Sequence, residues 1–172
     1  RGISREQYTN EMGELFQAFT EVAARHPAAA FPKAYHGGEL IEVGDTNPLI
    51  SAPYTKHLVA KDGVNQAAAV VLTSVARALE LGVPREKMVF PVTGSNVHDR
   101  YLVQRPNLAS SEAMRIAYRA VLESSGVAPE EISLLDLYSC FPIAVFNACE
   151  ALGIDPLGGR ALTLTGGLPF FG

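Results

Sequence analysis

The sequence predicts an α/β fold on three observations. Apolar runs that suit strands alternate with stretches of helical periodicity in the second half of the chain. Glycines close the helical stretches, as at Gly82, Gly126 and Gly153. An apolar run over 132–137 meets a helical pattern over 143–152 at Asp136-Leu137-Tyr138-Ser139-Cys140-Phe141-Pro142. Open α/β sheets gather their chemistry at such corners, because strand ends and helix N-termini converge there.

Composition narrows the class. A chain of 172 residues, 48% of them apolar, is long enough to build one domain or a large piece of one. The net charge of −4, with no basic cluster, argues against a nucleic-acid partner. Cys140 and Cys149 form no C-x-x-C pair, which argues against a zinc site and a disulfide framework and makes a reducing cytoplasm the expected location. No apolar run reaches membrane-span length and no signal peptide opens the chain. The apolar ending Leu168-Pro169-Phe170-Phe171-Gly172 leads us to expect a fragment of a longer polypeptide.

Residues 4–25 carry the clearest helical pattern. Ser4 and Gln7 have capping-box spacing, and Tyr8, Met12, Leu15, Phe16, Phe19, Val22 and Ala23 recur at three and four. Glu14, Gln17, Glu21 and Arg25 read as its solvated face. Pro27 ends it. Residues 27–56, punctuated by Pro27, Pro32, Gly37-Gly38, Gly44, Pro48 and Pro53, read as a long irregular loop suited to covering a ligand.

The stretch 66–81 fits one helix, or a buried strand over 67–73 followed by a short helix over 75–81; periodicity does not separate them. Residues 88–93 predict a strand interrupted by Pro91. His98-Asp99 lies in a polar loop and is expected to point in opposite directions, so it is not read as a dyad. A helix over 111–124 is capped by Ser110 or Ser111 and closed by Gly126. A strand over 132–137 leads to a helix that begins at Pro142 and ends at Gly153. A last strand over 161–165 runs into Gly166-Gly167. Cys149, in mid-helix, reads as core.

Several of these residues together resemble a known family. They are the link Gly126 to Pro129 with Glu131 and Ile132, the tetrad Tyr138-Ser139-Cys140-Phe141, and Gly166-Gly167. Upstream, Pro53-Tyr54-Thr55, Asp62-Gly63 and Ala67-Ala68-Ala69 join them. The chain resembles the thiolase superfamily, in particular its sterol-carrier-protein-type and lipid-transfer-protein-like branch. The resemblance implies a layered helix-sheet-helix-sheet-helix fold, of which this chain is a part. Residues 1–64 would form a loop or cover region with an N-terminal helix. Residues 65–172 would hold the end of the first α/β half and most of the second, with a strand at 67–73.

The resemblance further implies acyl-CoA chemistry: C–C bond cleavage or formation on a CoA thioester. Tyr138 occupies the first tetrad position, where relatives carry Asn or His, and is the candidate catalytic group. Phe141, Gly166 and Gly167 are candidate substrate-binding residues. The family's nucleophilic cysteine would precede Arg1, and its Gly-His-Pro histidine would follow Gly172, so the active site within this chain would be incomplete. No metal or bound cofactor is implied, with the CoA thioester entering as substrate. A homodimer or a partner subunit is expected. Two other readings stand beside acyl transfer: a retro-aldolase on a CoA-linked steroid-type side chain using Tyr138, and a non-catalytic CoA- or lipid-binding subunit.

Overall fold

The structure, a computed structural model, describes residues 2–172. Helix α1 spans Arg5–Arg25, with the Ser4 hydroxyl accepting the Gln7 N–H at 3.0 Å. The reciprocal half of the capping box is not made, because the Gln7 amide donates to Glu11 instead, at 3.0 Å. The α1 stripe is buried as its periodicity demands: Met12, Leu15, Phe16, Phe19 and Ala23 all lie in the core. Phe16 stacks on Phe19 at 5.1 Å and meets Phe170 edge-on at 5.9 Å.

The predicted loop over 27–56 holds structure of its own. Helix α2, Gly37–Ile41, is capped by His36, whose ring nitrogen accepts the Gly38 N–H while Glu39 reaches back to the His36 N–H. Strands β1, Leu49–Ser51, and β2, Tyr54–Thr55, pair antiparallel around the cis bond Ala52–Pro53. Helix α2 lies against α1 at a contact between Gly13 and Gly37 that leaves no room for a side chain on either. Two polar residues of α1 complete the join. Gln17 accepts the Gly37 N–H at 2.8 Å, and the buried Thr20 hydroxyl accepts the Tyr35 N–H at 3.0 Å. Gln17 is therefore a docking residue rather than part of a solvated face. Asn47, also buried, donates to the Leu40 and Glu42 carbonyls and accepts the His57 N–H, tying α2 to the hairpin.

Helix α3, Val75–Glu80, is the short helix of the second reading of 66–81. Helix α4, Glu112–Ser125, is capped by Ser111 and closed by Gly126 in the left-handed region. Helix α5, Pro142–Leu152, has Pro142 in its first turn and Gly153 at its C-cap. Asp99 pairs with Arg105 and accepts the Ser111 hydroxyl, so it is no partner for His98.

The strands expected over 67–73, 88–93, 132–137 and 161–165 are corrected by the structure: among the described residues the only paired strands are β1 and β2. A strand exists through the ladder it shares with a neighbour. The stretches 67–73 and 88–93 have no such neighbour among the described residues, and Val71, for one, is left 90% exposed. The stretches 132–137 and 161–165 do touch, through the Leu137 N–H donating to the Leu162 carbonyl at 3.0 Å.

One hydrophobic core runs from α1 through Leu40 and Leu58 to Leu135, Leu137, α5, Leu162 and Phe170. It crosses the expected division at 64/65. Among the described residues no helix is long and apolar enough to cross a membrane.

Candidate active site

The backbone from Leu135 to Ser139 alternates with a period of two: Leu135, Leu137 and Ser139 are buried, whereas Asp136 and Tyr138 are exposed. The alternation sends a carboxylate and a phenol to one side and leaves a hydroxyl, Ser139, pointing inward. Cys140 continues the outward face, half-buried.

Tyr138 is 61% exposed. The neighbouring Cys140 thiol first, then slight burial, raises its phenol above the ordinary value. Tyr138 is thus held in its protonated, hydrogen-bond-donating form at neutral pH. Cys149, by contrast, is buried in α5 and pushed up to about 11 by that burial, which leaves it inert core.

A cavity of about 280 Å³ lies beside Tyr138, lined by Asp136, Tyr138, Ser139, Thr165, Gly167 and Leu168 among others. It brings together Tyr138 and Gly167 of the four site residues expected from the sequence. Gly166 sits behind the wall, with its Cα so close to Ala23 of α1 that a Cβ would come within 2.4 Å of it. Phe141 faces away, its ring 5.1 Å from Tyr54.

Side-chain oxygens hold the glycine turn. Thr163 Oγ1 accepts the Gly166 N–H at 3.0 Å and donates to Asp136 Oδ1 at 3.0 Å. Asp136 Oδ1 also accepts the Leu164 N–H at 3.1 Å. The Gly167 N–H goes to Thr165 Oγ1 at 3.2 Å, and the Leu168 N–H to Ser139 Oγ at 3.1 Å. The N–H groups of Gly166, Gly167 and Leu168 are therefore all engaged by side-chain oxygens. Two further strands of chain clamp the loop. The Ala60 N–H donates to the Cys140 carbonyl at 3.0 Å and the Lys61 N–H to the Leu168 carbonyl at 3.3 Å. Ala30 and Phe31 donate to the Phe171 and Phe170 carbonyls.

Asp136, Ser139, Thr163 and Lys61 received no role from the sequence. For Ser139 the signal was present: alternation places it inward, opposite a glycine. Lys61 lies far from the corner in sequence and gave none. Among the described residues no group of three or more His, Cys, Asp or Glu side chains could hold a metal ion.

The comparisons with known proteins bear directly on this corner. The crystal structure of a monomeric SCP2-thiolase-like protein type 1 from Mycobacterium smegmatis superimposes with a TM-score of 0.93 over 99% of this chain, at 40% identity. The chain is similar to SCP2-thiolase-like proteins in fold and in sequence. It spans 38% of that structure's chain. It is also 28% identical over 159 residues to the benzoylsuccinyl-CoA thiolase subunit BbsB of Thauera aromatica, covering 89% of this chain and 40% of that protein. No family model matches the chain. This chain spans well under half the length of either relative.

Proposed function

We propose that the protein containing this chain works on acyl-CoA thioesters, making or breaking a C–C bond by thiolase-type acyl transfer, with Tyr138 as a proton donor to the reacting oxygen. The observation that carries the reading is the 0.93 superposition at 40% identity on an SCP2-thiolase-like protein, with Tyr138 and Gly167 on one cavity. A donor held to an oxygen that gains charge in the transition state lowers the barrier to its formation. In this role Gly167 shapes the wall, since a Cβ there would meet Ser139 Oγ at 2.4 Å. Gly166 lets the turn lie on α1, whereas Phe141, packed on Tyr54, takes no part in this cavity.

A second reading uses the same residue. Tyr138 is an acid kept protonated, and a retro-aldol cleavage of a CoA-linked β-hydroxy side chain also needs a donor at the thioester oxygen as the enolate forms. The test is turnover of the full-length protein on 3-ketoacyl-CoA with free CoA, and on a β-hydroxyacyl-CoA alone. Tyr138→Phe is expected to lower kcat at least tenfold on whichever substrate is turned over; an unchanged kcat removes Tyr138 from the mechanism. Acyl-CoA binding with no turnover on either would leave a binding subunit.

We also infer that the exposed extended segments 67–73 and 88–93 pair with further polypeptide, whether of the same protein or a partner. Their bare apolar side chains support this. Slow amide exchange over 67–73 in the full-length protein is the expected result, and fast exchange there would refute the pairing.

A further inference from the structure

We propose that Asp136 is a positioning residue, fixing through Thr163 the Gly166–Gly167 turn, whose second glycine lines the cavity beside Tyr138. The role in catalysis rests on Tyr138 acting as proposed above; the relay itself rests only on the hydrogen bonds.

Three features lead to it. Asp136 and Tyr138 are two apart on an extended backbone, so they share the outward face and border one cavity. One oxygen of the Asp136 carboxylate gathers both the Thr163 hydroxyl and the Leu164 N–H. Donating to Asp136 turns the Thr163 lone pairs toward the loop, where they accept Gly166 N–H at 3.0 Å and Thr165 N–H at 3.3 Å. The carboxylate thereby fixes the rotamer of a buried hydroxyl, and that hydroxyl fixes the turn.

Thr163 is 3% exposed, so its hydroxyl has little water to fall back on if Asp136 is lost. A hydroxyl rotor freed of its acceptor would no longer hold its lone pairs on the Gly166 amide. Both glycines lie at positive φ, +104° and +74°, and a glycine turn is the backbone most ready to wander once its anchors go. The distance between Tyr138 and the opposite wall would then be set by thermal motion. Misplacement of that kind is felt in the chemical step more than in ground-state binding.

An alternative role for Asp136, as a base acting on the substrate, makes a different demand. A base needs the charge. A positioning residue needs an acceptor oxygen, which asparagine retains.

The experiment compares Asp136→Ala, Asp136→Asn, Thr163→Val and Thr163→Ser in the full-length protein, with hydrogen exchange over 162–168 and with kcat and KM. For Asp136→Ala and Thr163→Val, exchange at Leu164 to Gly166 is expected to rise at least tenfold while α5 stays protected. For both, kcat is expected to fall about tenfold with KM within a factor of about three. Asp136→Asn and Thr163→Ser should restore most of both properties. Unchanged exchange in Asp136→Ala and Thr163→Val overturns the relay, whatever the activity. Faster exchange with unaltered kcat overturns the positioning role. An Asp136→Asn variant as slow as Asp136→Ala, with the loop still protected, replaces positioning by acid–base chemistry. Should Asp136→Ala fail to fold, the Thr163 pair decides alone. Absence of turnover in the unaltered protein would count against the acyl-CoA reading, with the exchange data still judging the relay.

Discussion

Ser139 and Gly167 face each other so closely that a Cβ on Gly167 would lie 2.4 Å from Ser139 Oγ and 2.8 Å from the Phe19 ring. The contact joins the tetrad, the glycine loop and α1 in one place. It also explains why the corner carries a serine: its oxygen is small enough for the gap, and it accepts the Leu168 N–H.

Gly167→Ala is therefore expected to be among the most damaging single-methyl additions in the chain. Overpacking and a side chain at φ +74° together are expected to cost about 3 kcal/mol. Chemical denaturation would show it as a lower midpoint at unchanged slope. A loss below about 0.5 kcal/mol would mean that the loop moves aside freely.

Gly13→Ala tests the α1–α2 contact, where two effects oppose. Alanine improves helix propensity by about 1 kcal/mol. Its Cβ, however, would fall 2.5 Å from the Gly37 carbonyl oxygen, a backbone atom that cannot swing away. Overpacking typically costs about 1–3 kcal/mol, so a net loss near 1 kcal/mol is expected. Gly63→Ala, with nothing within 4 Å of its Cβ, is the control and should be neutral. Equal behaviour of the two variants would refute the contact.

Lys61 gives a pH signature. Burial first, then the charge of Lys56, lowers its ammonium from 10.5 to about 8, while Nζ donates to the Val59 and Lys56 carbonyls. Between about 8 and the ordinary lysine value the unfolded chain binds the proton that the folded chain has released. Stability contributed by this group therefore rises as pH climbs through that window. Below pH 8 both states carry the proton, and the penalty of a half-buried charge is present in full. Relative to Lys61→Met, the unaltered protein should gain stability from pH 8 to 10.5 in urea titrations. Parallel profiles would show that Lys61 stays solvated.

The sequence by itself determined helices α1, α4 and α5 and the glycine caps of the latter two. Each follows from local rules: the stripe from Tyr8 to Ala23, the Ser4 and Ser111 caps, Pro142 in a first turn, Gly126 and Gly153 at C-caps. It also pointed to Tyr138 and to the glycine pair, through their resemblance to a family tetrad and loop. Tertiary structure decided the rest. Whether an apolar run becomes a paired strand depends on a neighbour that the run does not encode, so 67–73 looks the same in sequence whether its partner is present or not. The docking of α2 depended on two glycines, Gly13 and Gly37, that are far apart in the chain and touch only when folded. The bond between Asp136 and Thr163 joins residues 27 positions apart that only folding brings to 3.0 Å. A hydrogen bond is a matter of distance and angle, and for residues so far apart in sequence only the packed core sets both.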